Sequence, residues 1–224
     1  MEALGLDVLF MGSNATRLLQ GLWVAVQISA ISVVLSIILG MLFGIFMTWK
    51  NPVAKVISRL YLEIVRIMPQ LVLLYIVFFG ATRVMGLNIS AELSSIIVFV
   101  FWGTGEMGDL VRGALTSIPK QQYESAAALG LNKAQIYRQV IIPQAIRAVL
   151  PALGNEFIVL LKDTSLITVI GGKELTYAAK AIIAKTYQGL FPLFGIALMY
   201  LLLVMLFSKL LSVLERRLRQ SDRR

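Results

Sequence analysis

Long apolar stretches separated by short polar segments dominate the chain. The clearest of them, residues 18–49, has no charged side chain, and a helix needs about 20 residues to cross a hydrocarbon core. Four further apolar stretches follow it along the chain. The pattern predicts an all-α integral membrane protein, a single transmembrane domain over residues 1–224, with five transmembrane helices at about residues 18–49, 61–81, 93–110, 149–170 and 190–211.

The basic residues predict how these helices are oriented. Most of the 21 Lys and Arg residues follow the first, third or fifth predicted span, and Lys and Arg are enriched in cytoplasmic segments of membrane proteins. We therefore predict an N-terminus outside and a C-terminus inside the cell. No nucleic acid partner is expected from the net charge of +9, because the basic residues are spread over three loops without interleaved aromatic residues.

The composition excludes several classes of chemistry. The chain is 58% hydrophobic and 15% charged, against about 45–50% apolar and 25% charged residues in soluble domains. It has no Cys and no His, which excludes disulfides and removes the commonest metal ligand and general base. It also lacks the P-loop pattern that cradles nucleotide phosphates. We expect neither an enzyme nor a cofactor-binding protein.

The polar stretch 117–144 is the longest segment on the predicted cytoplasmic side. Pro119 suits a first helical turn, and a helix over residues 121–129 would end at Gly130. Asn132 can cap a second helix, residues 133–142, which Pro143 would kink or end. The pattern alone predicts a helical elbow, which fits either an amphipathic loop on the lipid headgroups or a docking element for a partner.

The same stretch carries a spaced motif. Glu124-Ser125-Ala126 is followed by Gly130 and then by Val140-Ile141-Ile142-Pro143. This resembles the EAA loop of the membrane subunits of ABC importers, whose pattern is Glu-Ala-Ala, three residues, Gly, nine residues and Ile-x-Leu-Pro. The resemblance implies a coupling helix that docks on a separate cytoplasmic ABC ATPase, which binds ATP-Mg. The residues implied in this coupling are Glu124, Ser125, Ala126, Gly130 and Pro143.

Three other segments resemble the polar amino-acid uptake branch of these importers. Arg66 and Pro69 match its E-x-x-R-G-T-P-L, residues 109–113 match its Glu-x-x-Arg-Gly with Asp for Glu, and residues 162–166 match its Lys-Asp-Thr-Ser-Leu. The resemblance implies a type I ABC importer-like fold and a permease subunit for polar amino acids in a bacterial or archaeal cytoplasmic membrane. It also implies an extracytoplasmic amino-acid-binding protein and a second copy or a related permease as partners, with membrane lipid around them.

Ionisable side chains mark the fourth predicted span. Each costs at least about 2.5–3.5 kcal/mol at bilayer depth, so such groups pair or line a wet cavity. Glu156 and Asp163 lie two helical turns apart, and Asn155 and Lys162 form an adjoining pair. We predict a substrate path in which Glu156 meets an ammonium or cationic side chain, while Lys162 meets a carboxylate or holds Asp163. The alternative is an internal structural network that fixes a dimer contact or the outer end of the helix.

Three further sets of residues in the spans are candidates for a role in the substrate path or in helix packing. Arg66 and Pro69 fit a gate along the substrate path or a position at the inner interface. Glu106 either adds to the cavity or lies near that interface. Gly40 and Gly44 form a G-x-x-x-G, which predicts a close helix–helix contact.

Two classes of transport function fit these features. The first is a permease subunit driven by a separate ATPase, and the second is a stand-alone carrier or channel driven by an ion gradient. We find no repeated motif in the two halves of the chain, which favours the first. A membrane scaffold without transport would leave the charged seam unexplained.

Overall fold

The computed structural model describes the backbone of residues 6–221, and the side chains of residues 8–213 other than Pro151 and Leu153. Nine α-helices and no strands occur in this part of the chain. The prediction of an all-α fold is confirmed for these residues. The helices are α1 Asn14–Met47, α2 Pro52–Ile67, α3 Gln70–Met85, α4 Ala91–Ser117, α5 Lys120–Ala128, α6 Lys133–Ile136, α7 Ile142–Asp163, α8 Leu175–Thr186 and α9 Leu190–Ser221.

The most extensive helix contact joins α1 to α4. A Cβ atom placed on Gly44 would lie 2.6 Å from the Cβ of Val111, and one on Gly40 would overlap Met107. Small residues of this kind let two helix backbones approach closely. The predicted packing face of the G-x-x-x-G is therefore confirmed, and its partner is α4.

Helix α4 forms the centre of the bundle. Its residues Val98 and Phe99 are buried against Ile28 of α1, Leu74 of α3 and Leu160 of α7. Packing on several sides shields α4 from the surroundings, so it can carry more polar residues than a helix that faces lipid. The third predicted span, residues 93–110, lies inside α4.

The outer helices carry apolar surface. Within the described residues, α1 and the Leu190–Val213 part of α9 are long and apolar enough to cross a membrane, and the number rises to four if each of two bent helix pairs counts as one span. Only 28% of the apolar 18-residue stretch of α1, and 11% of that of α9, is buried inside the protein. Their side chains face outward, as expected where lipid is the solvent.

The second predicted span, residues 61–81, is not one straight helix. Residues 61–67 belong to α2 and residues 70–81 to α3, and the two helices are bent by 103° at the break between them. Pro69 lies at this break, and Met68 directly before it has extended backbone angles, because proline disfavours helical geometry in the residue before it. Tyr61 holds α2 against α4 by donating its hydroxyl to the carbonyl of Phe101 at 2.5 Å.

The fourth predicted span, residues 149–170, is also divided. Helix α7 ends at Asp163, a 3₁₀ segment follows over Thr164–Ile170, and Gly171 closes it with a φ of +83°. The segments Lys133–Leu150 and Gly154–Ile170 meet at a bend of 42°. The apolar pattern contains no signal for this change of helix type.

Candidate functional site

The elbow of residues 120–136 is a closed structural unit. Gly130 ends α5 with a φ of +80°, a conformation that costs other residues free energy. Asn132 accepts a hydrogen bond from the Gln135 backbone at 3.0 Å, and the Gln135 side chain accepts one from the Asn132 backbone at 2.9 Å. This capping box fixes the start of α6. The predicted helix stop at Gly130 and the predicted helix cap at Asn132 are therefore confirmed.

The EAA residues divide into exposed and buried positions. Glu124 and Ser125 are exposed, whereas Ala126 is buried against Ile136 and Ile141. Ala126 therefore faces the other arm of the elbow rather than its exposed surface. Its small side chain allows the two arms of the elbow to pack together.

Leu129 is a residue that the sequence analysis missed. It lies directly before Gly130 and is 82% exposed, and an isolated exposed Leu would need no explanation. Here it stands at the tip of a rigid polar elbow, next to the exposed motif residues. The sequence did contain a signal for Leu129, because an apolar residue directly before the glycine that ends a polar helix is unusual enough to indicate an exposed contact residue.

The elbow continues into α7 without a break in the helical path. A π-helical turn, Tyr137–Ile141, connects α6 to α7, and Pro143 lies in the first turn of α7. Of the two effects predicted for Pro143, a kink or an end of the second elbow helix, the end does not occur. Pro143 has no N–H for the preceding turn, and the wider π turn directly before it changes the hydrogen-bond register there.

Side chains also connect the two arms of the elbow. The Gln144 amide donates to the Gln122 side chain at 3.3 Å and to the Val140 carbonyl at 2.9 Å. The rings of Tyr123 and Tyr137 pack edge to face with centroids 5.8 Å apart. Burial and the neighbouring Tyr137 hydroxyl raise the pKa of Tyr123 above its ordinary value, so this phenol remains neutral at physiological pH.

Glu156 is the buried carboxylate of the predicted seam. Its residue is 7% exposed, and its Oε1 has no hydrogen-bond partner in the described part of the chain. A Cβ placed on Gly103 would lie 3.3 Å from this Oε1 and would touch Ser36 Oγ. Helices α7, α4 and α1 therefore meet at this carboxylate, and Ser36 Oγ lacks a partner there as well.

A second buried glutamate provides a contrast. Glu174 accepts hydrogen bonds from the Thr176 and Tyr177 backbones at 2.7 and 2.9 Å and from the Tyr200 hydroxyl at 2.9 Å. It caps α8 and ties it to α9, which is a structural role. Buried polar groups in proteins are normally satisfied in this way. Unlike Glu174, Glu156 therefore has a buried carboxylate oxygen that is free to accept a hydrogen bond from a polar ligand.

The other seam residues do not all gather at Glu156. Glu106 and Asp163 are near enough for their charges to act on it. Asn155 and Lys162 lie on the exposed face of α7, so the predicted adjoining pair points away from the buried carboxylate. Lys162 is near enough for its charge to act on Asp163, and the role of Lys162 stays a prediction.

The break at Pro69 lies close to this seam. Gln70, the first residue of α3, interacts with the Asp163 side chain. The first N–H groups of a helix have no intrahelical partner and carry partial positive charge. Gln70 was missed by the sequence analysis, although its position directly after a proline in an apolar stretch could have indicated it.

Arg66 forms an ion pair that joins two of the sequence motifs. Its Nη2 donates to Asp109 Oδ2 at 2.6 Å, and Arg112 Nε donates to Asp109 Oδ1 at 3.0 Å. The Arg66 side chain is 55% exposed, so the pair contributes at most about 1 kcal/mol to stability. Its effect is positional, because it ties the end of α2 to α4 beside the break at Pro69.

The chain is similar to known components of bacterial transport systems. Residues 36–220 match the family described as binding-protein-dependent transport system inner membrane component. A relative from Rickettsia typhi is 32% identical over 201 residues, which cover 90% of this chain and 92% of the relative. The glutamine transport system permease protein GlnP of Escherichia coli strain K12 is 31% identical over 203 residues, which cover 90% and 93% of the two chains.

Solved structures agree with this assignment. A chain from the crystal structure of an amino acid ABC transporter with histidines superposes with a TM-score of 0.87 at 33% identity, covering 94% of this chain and 98% of that one. An inward-facing structure of the MetNI methionine ABC transporter matches with a TM-score of 0.76 at 19% identity, over 91% and 97% of the chains, and shows the shared fold alone. The resemblance to the permeases of ABC importers is confirmed, and the chain belongs to the family of inner membrane components of binding-protein-dependent transport systems.

Proposed function

We propose that the chain is the transmembrane permease subunit of an ATP-driven importer for polar amino acids. Five spans, with the N-terminus outside and the C-terminus inside, form half of a translocation path, and a second copy or a related permease forms the other half. A separate cytoplasmic ABC ATPase binds ATP-Mg, and an extracytoplasmic binding protein delivers the amino acid. This chain itself catalyses no reaction.

One observation carries the proposal: the elbow and the buried carboxylate belong to one helical path. The path runs from Lys133 through the π turn to Asp163, and Gln144 connects it to α5. A displacement of the elbow by the ATPase is therefore transmitted along this path, through its 42° bend between Leu150 and Gly154, to Glu156. ATP drives transport in this scheme because the ATPase binds differently to the inward-facing and outward-facing states.

The substrate class follows from the charges around the path. Glu156 and Asp163 suit an ammonium group or a cationic or amide side chain. The N-terminus of α3 lies beside Asp163, and broken helices in transporters often direct such N-termini at substrate carboxylates. Relatives named for glutamine transport, and a related transporter structure with histidines, support an amino acid of this kind.

The elbow is tested through its exposed apolar tip. We expect Leu129→Ser to reduce co-purification with the ATPase and ATP-driven uptake together, each by about tenfold, as for an interface hot spot. The thermal stability of the chain should not change, because Leu129 is exposed. Lys133→Ser, on the exposed start of α6, is the control. Normal docking and normal uptake in Leu129→Ser would contradict the coupling role.

The stand-alone carrier is the second candidate, because an unpartnered buried carboxylate also suits an ion relay. Liposomes that contain only this chain distinguish the two functions. We expect no uptake under a proton or sodium gradient, and ATP-driven uptake only after the ATPase and the binding protein are added. Gradient-driven uptake by the chain alone would favour the carrier.

A further inference from the structure

A groove of about 620 Å³ lies between α1, α4 and α7, and α5 borders one end of it. It is separate from the polar seam, because Glu156, Lys162 and Asp163 do not line it. Its walls are mainly apolar, and α1 and α7 each contribute side chains spaced by about one helical turn. These residues are Ile37, Met41 and Ile45 of α1 and Ile142, Ile146 and Val149 of α7.

The length of the groove matches half of a bilayer. It follows α1 from Ile37 to Thr48, which is about 16 Å at a rise of 1.5 Å per residue. The hydrocarbon core of a membrane is about 30 Å thick, so one leaflet contributes about 15 Å. The groove therefore has room for one acyl chain along the depth of a single leaflet.

Charge is confined to the end of the groove near the elbow. Lys50, which follows α1, and Lys120, which begins α5, both line this end and are exposed. No Asp or Glu is among the described residues that line the groove. Tyr123 and Tyr137 lie at the same end, as aromatic residues commonly do at the level of lipid headgroups.

This distribution distinguishes between possible occupants. An apolar channel with two cations and aromatic rings at one end matches a phospholipid in shape and charge. A free phosphate would use the cations and leave the apolar walls empty, and a transmembrane helix of a second copy would not need the cations. The anionic lipids of a cytoplasmic leaflet are attracted by Lys and Arg near the membrane surface.

We propose that this groove binds an anionic phospholipid of the inner leaflet, with its phosphate between Lys50 and Lys120 and one acyl chain between α1 and α7. The proposal rests on the orientation given under Proposed function, which puts both lysines on the cytoplasmic side. Such a lipid contacts the end of α1 and the first residue of α5 together. It therefore links the membrane to the base of the coupling elbow.

The absence of Cys from the chain allows a direct test with single-cysteine variants. Met41→Cys places a fluorophore in the groove, and Leu42→Cys places one at almost the same depth on α1 but outside the groove lining. Met41 and Leu42 are 39% and 62% exposed, so both variants should fold. Each labelled chain is reconstituted with phosphatidylglycerol or phosphatidylcholine that carries a nitroxide quencher on its acyl chain.

We expect the phosphatidylglycerol probe to quench the Met41→Cys label at about tenfold lower mole fraction than the phosphatidylcholine probe. The Leu42→Cys label should respond equally to both. Adding Lys50→Gln with Lys120→Gln should abolish the preference at Met41→Cys, whereas Lys55→Gln with Lys133→Gln, which removes the same charge elsewhere, should preserve it.

Equal quenching by the two lipids at Met41→Cys would overturn the proposal, as would a preference that survives Lys50→Gln with Lys120→Gln. Disulfide formation between two Met41→Cys chains without selective quenching would assign the groove to a second copy. The readout is lipid proximity and needs neither ATPase nor substrate. A failure of this proposal is therefore distinguishable from a failure of the transport function.

Discussion

Gly130 acts through its backbone conformation. No atom lies within 4 Å of the position that a Cβ would take, yet its φ is +80°. A side chain would fit in the available space but would strain the backbone. Gly40 and Gly44 are the opposite case, because their backbones are ordinary helix and their lack of a side chain allows contact with α4.

We therefore expect Gly130→Ala to destabilise the elbow by about 1 kcal/mol. Hydrogen exchange of the backbone amides of residues 126–136 should become faster, while exchange in α9 should not change. Gly113→Ala is the control, since Gly113 also has an open environment but lies in α4 with ordinary helical angles. Equal protection of the elbow amides in wild type and Gly130→Ala would show that the turn tolerates a side chain.

Glu156 is tested by removing its charge and keeping its shape. We expect Glu156→Gln to lower the affinity of the assembled transporter for cationic amino acids about tenfold or more, because an ion pair within the membrane would be lost. Affinity for glutamine should change less. Isothermal titration or binding of labelled amino acids measures this, with Glu63→Gln, an exposed position on α2, as the control. Unchanged affinity for cationic amino acids would remove Glu156 from the binding site.

At the scale of elements, α4 connects the other helices. It packs closely on α1. From α2, the Tyr61 hydroxyl donates a hydrogen bond to α4 and Arg66 forms an ion pair with it. From α7, Glu156 reaches α4 at Gly103. The two carboxylates Glu106 and Asp109 on α4 have different surroundings. Glu106 lies near enough to Glu156 for their charges to interact, whereas Asp109 pairs with two arginines.

The α1–α4 contact gives an element-scale prediction. A Cβ on Gly44 would lie 2.6 Å from the Val111 Cβ and 2.9 Å from the Gly108 carbonyl oxygen. We expect Gly44→Ala to lower the free energy of unfolding by about 1–3 kcal/mol, since a well-packed contact must separate to admit the methyl group. Denaturant titration in mixed micelles measures this value.

Gly80→Ala is the matched control for this change. Gly80 lies within α3 and has no atom within 4 Å of a Cβ, so the same substitution should leave stability unchanged or slightly higher. Equal effects of the two substitutions would mean that the α1–α4 contact is looser than the structure indicates.

At the scale of the whole molecule, the elbow and the segment after α7 should lie on opposite sides of the membrane. Lys133 begins α6 and Lys173 precedes α8, and both are exposed. Helix α7, which contains most of the proposed fourth span, lies between these two lysines in the chain. The orientation proposed for the chain puts Lys133 in the cytoplasm and Lys173 outside.

Labelling of single-cysteine variants in intact cells measures this orientation without background, because the chain has no Cys. We expect a membrane-impermeant maleimide to label Lys173→Cys in intact cells and Lys133→Cys only after permeabilisation. Labelling of Lys133→Cys from outside would reverse the orientation, and the coupling proposal would fail with it.

Much of the fold could be predicted, but the candidate site only in part. The end of α5 at Gly130, the capping of α6 by Asn132 and the helices of the first and fifth spans agree with the sequence patterns. The break before Pro69 was not predicted, since a proline inside an apolar stretch is compatible with a kink as well as with a bend of 103°. The pairing of Arg66 with Asp109 was missed as well, although both residues were identified.

The sequence by itself determined the long helices of the first and fifth spans, the caps at Gly130 and Asn132, the spaced motif of the elbow and the family, because each depends on residues that are near one another in the chain. Only the tertiary structure decided that Glu156 is buried while Asn155 is exposed, that Ala126 packs inside the elbow, and that Lys50 and Lys120 share one groove. Burial and charge pairing depend on which distant segments meet, and a local pattern contains no record of those contacts.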